Sequence, residues 1–361
     1  MSVLFKSLSN NNVSIGGSNK GFPPGDISNI IHKVNDSKVL IKWTDPEDTV
    51  LDNVIFIKWK GTLLVRNSDH YPTSIKDGDV VLDNTIRNKY KDIFFEDTGL
   101  VNNHIYYYRF FPYSEDRVYN DNSNMIFKDK PLNMAPILKD NTWEQIIVAS
   151  ESGNIPSTWN IGDEIDITLS GRFNEPITLQ IWDFNHFDKS DGTGKAGICF
   201  GMKHLMKDKQ LMNSSDINTG GWNNTNMKKT IMNNIYNSIP IEIRNHIKEV
   251  NTYANSGGES SSSSQGLLSK DKVFLLGLTE CTDNWSSQNR TETGQKKFPI
   301  FSDYDSRIKK LNNGNGSAHD WYSRSPAYFT NDGFCSFNGY GNFGSSTYAS
   351  SSYGVCVCFN V

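Results

Sequence analysis

The sequence lacks several features that would place it in a common class of protein. No apolar run is long enough to cross a membrane, and the first residues, MSVLFKSLSN, lack the basic start and long apolar stretch of a secretion signal. The net charge is −4, and no stripe of lysine or arginine runs along the chain. Because binding to phosphate backbones needs clustered positive charge, we expect no nucleic acid as a partner. Because no long apolar run is present, we expect no insertion into a membrane.

Cysteine is scarce, and its spacing matches no metal motif. The five cysteines are Cys199, Cys281, Cys335, Cys356 and Cys358. An odd, scattered set is typical of reduced thiols in a protein made in the cytoplasm. Cys356 and Cys358 lie two residues apart on one face of a predicted strand, which is a poor geometry for a disulfide. We expect them to pack in the core, and we predict no cofactor and no metal site.

Recognisable catalytic motifs are also missing. The sequence has no G-x-S-x-G nucleophile turn, no H-E-x-x-H zinc motif and no P-loop. We therefore predict no catalytic residue and no enzymatic activity. Carboxylates are plentiful, however, and two that are distant in sequence can meet in a fold as a glycosidase pair. Cleavage of a glycan therefore stays open as an alternative.

One loop is rich in the oxygen ligands that calcium prefers. The segment WDFNHFDKSDGTG contains Asp183, Asn185, His186, Asp188 and Asp191. Its spacing departs from the EF-hand pattern, which needs a ligand where Phe187 stands and glycine where Asp188 stands. We expect no calcium site here, and we interpret His186 as a structural histidine that follows a strand.

Aromatic residues are abundant, at 12% of the 361 residues, and the length suggests two domains. Large rings suit the pleated, half-buried surface of a sheet. From residue 22 to 131, alternating runs follow one another with turn residues between them, which predicts an antiparallel β-sandwich. Two runs carry inward-facing sets on one side, Val39, Ile41 and Trp43 in the first and Tyr106, Tyr108 and Phe110 in the second.

The motifs of residues 22–131 resemble a fibronectin type III domain. The matching pieces are PPGDISN, the strand with Trp43 followed by TDPED, and DTGLVNNHIYYYRFFPYS. Leu100 and Tyr106 are similar to the corner of that family, in which a tyrosine fixes the loop before its strand. The resemblance implies a spacer or adhesion module, and we expect Trp43 and Tyr106 to lie in its core.

The remaining chain divides into three further parts. Residues 1–21 predict an attachment arm, 132–141 a linker, and 142–361 a second domain of mixed α+β structure. In the second domain we predict a helix over Thr142–Asn154 with Thr142 or Asn141 as N-cap, and a hairpin from TWNIGDEIDITLSG and EPITLQIWDFNHF. Further predictions are helices over about 224–238 and 240–250, a flexible loop over Ser256–Gly266, and a buried strand over Lys272–Glu280.

Residues 142–361 resemble the C-type-lectin-like domains of prophage tail and surface proteins. WNIGDE, IWDFNHF, AGICFGMKHLM, MNSSDINTGGWNNTNMKK, KVFLLGLTE and WYSRSP occur in that order. The resemblance implies a receptor-binding fold whose C-terminal segment displays the ligand-contacting side chains. The family commonly ends in G-V-R-P-x-F, whereas this chain has Cys356 and Val357 in place of the Arg-Pro pair. The Glu-Pro-Asn and Trp-Asn-Asp triplets of calcium-binding lectins are absent as well.

The segment from Asn331 to Tyr353 combines aromatic rings with glycine, serine and asparagine, as recognition loops do. A ring can stack on the apolar face of a sugar while amides and carboxylates bind its hydroxyls. The predicted ligand-binding residues are Tyr328, Asp332, Phe337, Asn338, Tyr340, Asn342, Phe343 and Tyr348. Turns and short strands with core aromatics are the alternative. We interpret Trp321 and Arg324 as internal scaffold, with Arg324 pairing a buried carboxylate or capping carbonyls.

Together these observations predict a tail-tip protein of a phage or tail-like particle. We expect it to be synthesised in the bacterial cytoplasm, to be carried in the virion, and to bind a host surface glycan or protein receptor. The arm would bind tail or baseplate proteins, and a homotrimer would multiply weak affinities. The lysine, asparagine and isoleucine content favours a low-GC Gram-positive host. A glycan depolymerase and a structural baseplate component without receptor binding are the alternatives.

Overall fold

The computed structural model describes residues 21–51, 54–258, 266–283, 292, 295–314 and 316–361. Most of its regular elements are strands in several sheets, with few helices. The chain divides into two compact units, Met1–Asn133 and Met134–Val361. Residues 1–20 of the predicted arm and 259–265 of the predicted serine-rich loop lie outside the described residues. No described helix is long and apolar enough to span a membrane.

The described part of the first unit consists of strands that pair antiparallel. They are β1 (Ser28–Asn35), β2 (Lys38–Thr44), β3 (Thr49–Leu51), β4 (Val54–Ile57), β5 (Trp59–Asn67), β6 (Asp79–Asn84), β7 (Phe95–Thr98), β8 (Tyr106–Ser114) and β9 (Ile126–Asp129). A three-stranded sheet has the order β1-β2-β7, a four-stranded sheet the order β6-β5-β8-β9, and β3 and β4 form a hairpin. This arrangement is consistent with the predicted β-sandwich.

Aromatic side chains from both sheets meet in the core of this unit. The ring of Trp43 lies 5.0 Å from the rings of Phe110 and Tyr90. On the other face of β8, Phe111 and Tyr113 join a second buried cluster with Leu63 and Val65 of β5. Strand β8 is therefore buried on both faces, which explains why YYYRFFPYS is almost continuously apolar and aromatic.

Buried polar contacts fix the loops of the first unit. Asp45, which is 2% exposed, accepts hydrogen bonds from the indole of Trp43 at 2.9 Å and the hydroxyl of Thr62 at 2.8 Å. The Tyr106 hydroxyl accepts the Val101 N–H at 3.0 Å, and Leu100 beside it is buried. The predicted contact between this tyrosine and the preceding loop is thus present. Trp43 lies in the core as predicted, whereas Tyr106 is only half-buried.

The described strands of the second unit form four sheets. They are β10 (Glu164–Leu169), β11 (Glu175–Phe184), β12 (Ile198–Met202), β13 (Gln210–Leu211), β14 (Val250–Ala254), β15 (Leu267–Asp271), β16 (Val273–Leu275), β17 (Trp321–Pro326), β18 (Gly333–Phe337), β19 (Phe343–Tyr348), β20 (Ser352–Tyr353) and β21 (Val357–Asn360). The largest sheet has the order β10-β11-β12-β21-β16, and a three-stranded sheet has the order β17-β18-β19. Strands β13 and β20 form one pair and β14 and β15 another.

Few helices accompany these sheets in the described residues. They are α1 (Trp143–Ser152), a π-helix (Met227–Met232) that continues into α2 (Asn233–Ser238), α3 (Ile241–Arg244) and α4 (Leu278–Cys281), besides short 3₁₀ turns. The predicted helix over 224–238 is confirmed in its main part. The predicted helix over 240–250 is wrong beyond Arg244, because Val250 pairs with Asp271 at the start of β14. The predicted strand over 272–280 ends at Leu275, since Leu278 begins α4.

Helix α1 begins and ends at residues with clear capping roles. The Thr142 hydroxyl accepts the Gln145 N–H at 3.3 Å, and the Gln145 side chain accepts the Thr142 N–H at 2.7 Å. This capping box confirms Thr142 as N-cap. Gly153 ends the helix at φ 68°, a left-handed conformation that favours glycine.

The segment before α1 packs as part of the second unit. Leu138 is 1% exposed in the main core, and the side chain of Asn141 donates to the carbonyls of Ile137 at 2.8 Å and Ala135 at 3.1 Å. The indole of Trp159 also donates to Ala135 O at 3.0 Å. Residues 134–141, which belong to the predicted linker 132–141, therefore contribute to the core and hydrogen bonding of the second unit.

Two fragments test this boundary. We expect 134–361 to unfold cooperatively and at a higher temperature than 142–361. The shorter fragment loses the burial of Leu138, and removing a buried leucine side chain costs about 2–5 kcal/mol. Thermal unfolding followed by circular dichroism compares the two. Equal melting temperatures would mean that residues 134–141 are a linker, and a Leu138→Ala change in the longer fragment isolates the contribution of that side chain.

Candidate functional site

The C-terminal sheet β17-β18-β19 carries most of the predicted ligand-binding residues. Its first strand, β17, is buried along its whole length. Trp321 of β17 stacks on Phe337 of β18 at 4.5 Å between ring centres, and its indole donates to Arg307 O at 3.0 Å. The sheet therefore has a packed inner side, and its candidate contact residues lie on the loops and the outer strand.

Arg324 of β17 is fully buried and forms an ion pair with Glu280 of α4. Its two terminal nitrogens lie 2.8 and 2.6 Å from the Glu280 carboxylate oxygens, and one of them donates to Leu275 O at 2.8 Å. The interpretation of Arg324 as scaffold is thus confirmed, because it both pairs a buried carboxylate and binds a carbonyl. The bidentate pair attaches β17 to α4 and β16.

A second buried carboxylate, Glu292, lies beside this ion pair. It accepts the Thr279 hydroxyl at 3.1 Å and also binds the Ser325 hydroxyl. Burial raises the pKa of Glu292, although the nearby charge of Arg324 works in the opposite direction. The charge of Arg324 therefore acts on two buried glutamates: Glu280 forms the direct ion pair with it, and Glu292 lies nearby.

The loop of residues 327–332 is held from below by Asn218, which is 1% exposed. Its side-chain amide nitrogen donates to the carbonyls of Ala327 at 3.0 Å, Thr330 at 2.9 Å and Gly333 at 2.8 Å. Its amide oxygen accepts the Gly258 N–H at 2.7 Å. These contacts fix a loop that has no regular secondary structure of its own, so it presents its side chains from a rigid base.

The GGW motif positions Asn218. Gly221 has φ 61°, and a Cβ there would lie 2.2 Å from Asn255 O, so only glycine fits. Trp222 follows as a fully buried residue whose indole lies 3.3 Å from both carboxylate oxygens of Asp271. Residues 220–222 can thus pass close to the 255–258 segment, and the chain then continues into the helix that begins at Met227.

We call residues 327–332 together with Tyr348 the loop end of the sheet. Apolar side chains are exposed there. Tyr348 is 60% exposed and Phe329 44%, while Tyr328 is half-buried and packs edge-on against Phe329 at 5.4 Å. The hydroxyl of buried Tyr322 donates to Tyr348 O at 2.8 Å, so the backbone under the exposed ring is fixed. Ile217, 50% exposed, precedes Asn218, whose N–H binds Asn331 O.

Polar groups accompany these rings at the loop end. Asp332 is half-buried, and its carbonyl accepts the Ala349 N–H at 2.9 Å. The hydroxyls of Thr330 and Ser346 lie 3.5 Å apart across the loop and β19. Carboxylate and hydroxyl groups beside exposed rings are the combination that recognises a polar ligand with apolar faces.

Strands β18 and β19 form a hairpin, and we call its turn (residues 338–342) the turn end. Tyr340 of this turn is 79% exposed. The Asn338 side-chain oxygen accepts the N–H groups of Tyr340 at 2.9 Å and Asn342 at 3.1 Å. Gly341 has φ 74°, and a Cβ there would lie 1.9 Å from Tyr304 O. Tyr304, whose carbonyl lies against this turn, is itself 49% exposed, so the turn end adjoins a second exposed tyrosine.

The predicted ligand-binding set is thus divided between two ends. The structure brings Tyr328, Asp332 and Tyr348 together at the loop end, since Gly333 pairs with Tyr348. Tyr340, Asn338 and Asn342 lie at the turn end, where Asn338 serves mainly to hold the backbone.

Two aromatic residues of that set have other roles. The prediction is wrong for Phe337, which is 0% exposed and stacked on Trp321, and so cannot contact a ligand. Phe343 is partly buried against the core, so only part of its ring is accessible. The alternation of β18 and β19 turns these rings inward, which the spacing of aromatics in the sequence did not reveal.

Three exposed apolar residues were missed by sequence reasoning: Ile217, Tyr304 and Phe329. Phe329 adjoins Tyr328 and could have been included on composition alone. Ile217 and Tyr304 come from segments distant in sequence, and no periodicity or motif marks them.

The carboxylates of the 183–191 loop are engaged by neighbouring side chains. Asp183 Oδ2 lies 2.8 Å from His186 Nδ1 and 2.7 Å from Lys296 Nζ. Burial opposes the shift, but these hydrogen bonds lower the pKa of Asp183 to about 2. His186 stacks on Phe298 at 3.8 Å, in agreement with its interpretation as a structural histidine. Asp188 pairs with Lys195 at 3.0 Å, and Asp191 accepts the Thr193 hydroxyl at 2.7 Å.

The cysteines contribute to packing in the second unit. Cys199, Cys281, Cys335, Cys356 and Cys358 are all buried thiols, as predicted. Burial raises the pKa of the Cys356 and Cys335 thiols, so they are poor nucleophiles.

One family model matches this part of the chain. It is described as a domain of unknown function, DUF6273, and it matches residues 197–361. The matched segment includes Asn218, the GGW motif, the Arg324–Glu280 pair and both ends of the hairpin. No curated protein matches the chain.

The raised pKa of buried Glu292 predicts that the stability of the folded protein depends on pH. Because the pKa of Glu292 is raised in the folded state, the folded state binds its proton more tightly than the unfolded state. Stability from this group is present at low pH and is lost as pH rises through the raised pKa. We expect Glu292→Gln to melt above wild type at neutral pH, with the difference shrinking as the pH is lowered. Thermal unfolding of both proteins across this range measures it.

The matched control is Glu280→Gln, which removes the direct partner of a fully buried arginine. Breaking such a pair costs about 3–5 kcal/mol, so this variant should melt far below wild type at neutral pH. An E292Q protein less stable than wild type at neutral pH would instead show that Arg324 holds Glu292 in its charged form.

Proposed function

We propose that this protein binds a host cell surface through the exposed aromatic residues of its C-terminal sheet, as a tail-tip protein of a phage or tail-like particle. The observation that carries the proposal is the loop end, where Phe329 and Tyr348 project from a backbone held by buried polar side chains. An exposed ring makes few apolar contacts in the free protein, and it gains such contacts when a partner covers it. Exposed rings on a rigid base are thus suited to recognition.

The assignment of the two units to known folds is part of this proposal. For the first unit, a fibronectin type III-like fold is supported by the three-stranded and four-stranded sheets and by the hydrogen bond from Val101 to Tyr106. For the second, a C-type-lectin-like α+β fold is supported by the position of β21 inside the five-stranded sheet. Helix α1 contacts the residue that follows that strand, because the Ser150 hydroxyl donates to Val361 O. The first unit would then act as a spacer and the second as the binding module.

A glycan is the ligand class that this surface supports best. The rings of Phe329 and Tyr348 offer flat apolar faces for sugar C–H groups, and Asp332 with the hydroxyls of Thr330 and Ser346 offers hydrogen bonds. A protein receptor would use the same rings, so the ligand class requires a direct test.

The two ends of the hairpin favour an extended ligand. Strand β19 runs from Phe343 to Tyr348, so at about 3.3 Å per residue the strand alone separates these two residues by roughly 17 Å, and Tyr340 lies in the turn before Phe343. Small polar residues occupy the strand between them. A polymer of several sugar units could contact both ends at once, and assembly as a homotrimer would multiply these contacts.

Binding to cells tests the loop end directly. We expect Phe329→Ala combined with Tyr348→Ala to abolish binding to a panel of low-GC Gram-positive cells, with little change in melting temperature. Each exposed contact ring should contribute about 2 kcal/mol or more, roughly 30-fold in affinity. Flow cytometry with labelled protein and cells measures this, and digestion of the cells with glycosidases or proteases separates a glycan from a protein receptor.

Matched controls separate binding from folding. Tyr348→Phe keeps the ring and should keep binding, whereas Phe337→Ala should lower stability by about 3–5 kcal/mol because it empties the core. If the double variant binds cells as wild type does, the loop end is not the receptor site. If no cell in the panel binds the wild type, the structural alternative without receptor binding gains support.

Chelation provides a further prediction. The carboxylates of the 183–191 loop are already held by His186, Lys296, Lys195 and Thr193, so we expect binding to survive EDTA. Cell binding measured with and without EDTA, and after addition of calcium, decides this. Loss of binding that calcium alone restores would contradict the prediction, and Asp188→Asn would then test this loop.

A further inference from the structure

A groove in the second unit gathers lysines, although the net charge of the chain is −4. It has a volume of about 300 Å³ and lies between the helix from Met227 to Ser238 and the β15–β16 segment. Its lining includes Lys228, Lys229, Lys270, Lys272, Tyr236 and Asp271. Two lysine pairs from distant segments meet here, whereas the sequence alone shows them as the separate short motifs Lys228-Lys229 and Lys270-Asp271-Lys272.

One of the four lysines is neutralised inside the protein. Lys228 Nζ lies 2.9 Å from Asp271 Oδ1, and that carboxylate side chain is 2% exposed. The same ammonium group donates to Asn223 Oδ1 at 2.9 Å. Lys228 therefore joins the helix to β15 and fixes the base of the groove, but it adds little charge to it.

The other three lysines direct uncompensated charge into the groove. Lys229 donates to the neutral amide of Asn224 at 2.7 Å, and Lys272 Nζ lies 5.1 Å from the ring centre of Tyr236. Lys229, Lys270 and Lys272 are exposed, and within the described part of the chain none of them forms an ion pair. Like charges held together around one groove create a local positive potential that acts over about 8 Å at physiological salt.

The backbone beside these lysines is unusual. Residues Met227–Met232 form a π-helix, in which the widened turn carries both Lys228 and Lys229. Such segments are rare and occur frequently at functional sites. The helix is also anchored on both sides, by the buried side chains of Met227 and Met232 and by the Lys228–Asp271 pair. The groove is thus pre-organised.

We propose that this groove binds the anionic groups, phosphate or carboxylate, of an acidic polymer. The ammonium group of lysine is a compact point charge that pairs with either oxyanion, and the Tyr236 ring offers an apolar face to the carbon skeleton between them. Three free cations are too few for strong binding of nucleic acid, whose affinity at physiological salt depends on many phosphate contacts. The groove shares no residue with the loop end or the turn end, so it stands or fails independently of the cell-binding proposal.

Soluble probes test the groove in the full chain. The probes are short-chain polyphosphate and oligogalacturonate, with dextran as the neutral polymer and a single-stranded oligonucleotide for comparison. We expect wild type to bind both acidic polymers more tightly than dextran, with affinity that falls as NaCl is raised. Lys270→Glu combined with Lys272→Glu should weaken binding by about 10-fold or more, and the salt dependence should fall by about one unit of log–log slope per lysine.

The matched control reverses the same charge elsewhere on the second unit. Lys139→Glu combined with Lys209→Glu changes two exposed lysines outside the groove and should leave binding within about 2-fold, since distant charges are screened. Melting temperatures of both variants report folding. Equal binding by the groove variant and wild type, or no preference of wild type over dextran, would overturn the proposal. Tighter binding of the oligonucleotide than of polyphosphate would overturn it in favour of nucleic acid.

Discussion

The second unit depends on one buried ion pair, between Arg324 and Glu280, both 0% exposed. Two charges removed from water are tolerated only when their geometry is close and their remaining groups are satisfied. Arg324 meets this condition through Glu280 and Leu275 O, and Gly277 leaves the space, since a Cβ there would lie 3.1 Å from the guanidinium. The pair joins β17 to α4, and together with the hydrogen bonds from Arg324 N–H to Leu276 O at 2.7 Å and from Leu278 N–H to the Ser325 hydroxyl at 2.8 Å it fixes the position of the C-terminal sheet.

Polar side chains extend this order to the surface. Asn218 binds two carbonyls of the 327–332 loop and that of Gly333 at the start of β18, and Asn255 donates to Pro326 O at 2.8 Å. At the other end Asp320 accepts the Gly339 N–H at 2.9 Å. Each of these amides or carboxylates replaces the regular hydrogen bonds that a loop lacks. The exposed rings of Phe329 and Tyr340 therefore belong to irregular segments, and that of Tyr348 to the end of β19, whose backbone freedom is already restricted before any partner binds. This restriction lowers the entropy cost of recognition.

Local signals in the sequence predicted local structure well. Thr142 and Gln145 mark the start of α1, and the alternation in EIDITL and EPITLQIWDF gives the β10–β11 hairpin. Failures came where distant segments decide the outcome. Phe337 is inside because Trp321 covers it, and residues 134–141 are ordered because Asn141 and Trp159 bind their carbonyls. Likewise, composition described the 331–353 segment as aromatic and polar, but only the strand register divides its rings between two ends and the core.

The place of β21 in the largest sheet has a consequence for biosynthesis. This strand, residues Val357–Asn360, lies between β12 and β16 and so completes the sheet from the far end of the described chain. Strands β10, β11 and β12 pair with sequence neighbours and can form while the chain is still emerging from the ribosome, as can the first unit. The barrier to completing the second unit is then a long-range closure, which is slow for such topologies. Until β21 pairs with β12, the edge of β12 is open. Chaperone binding and premature self-association should therefore both occur mainly before this pairing is complete.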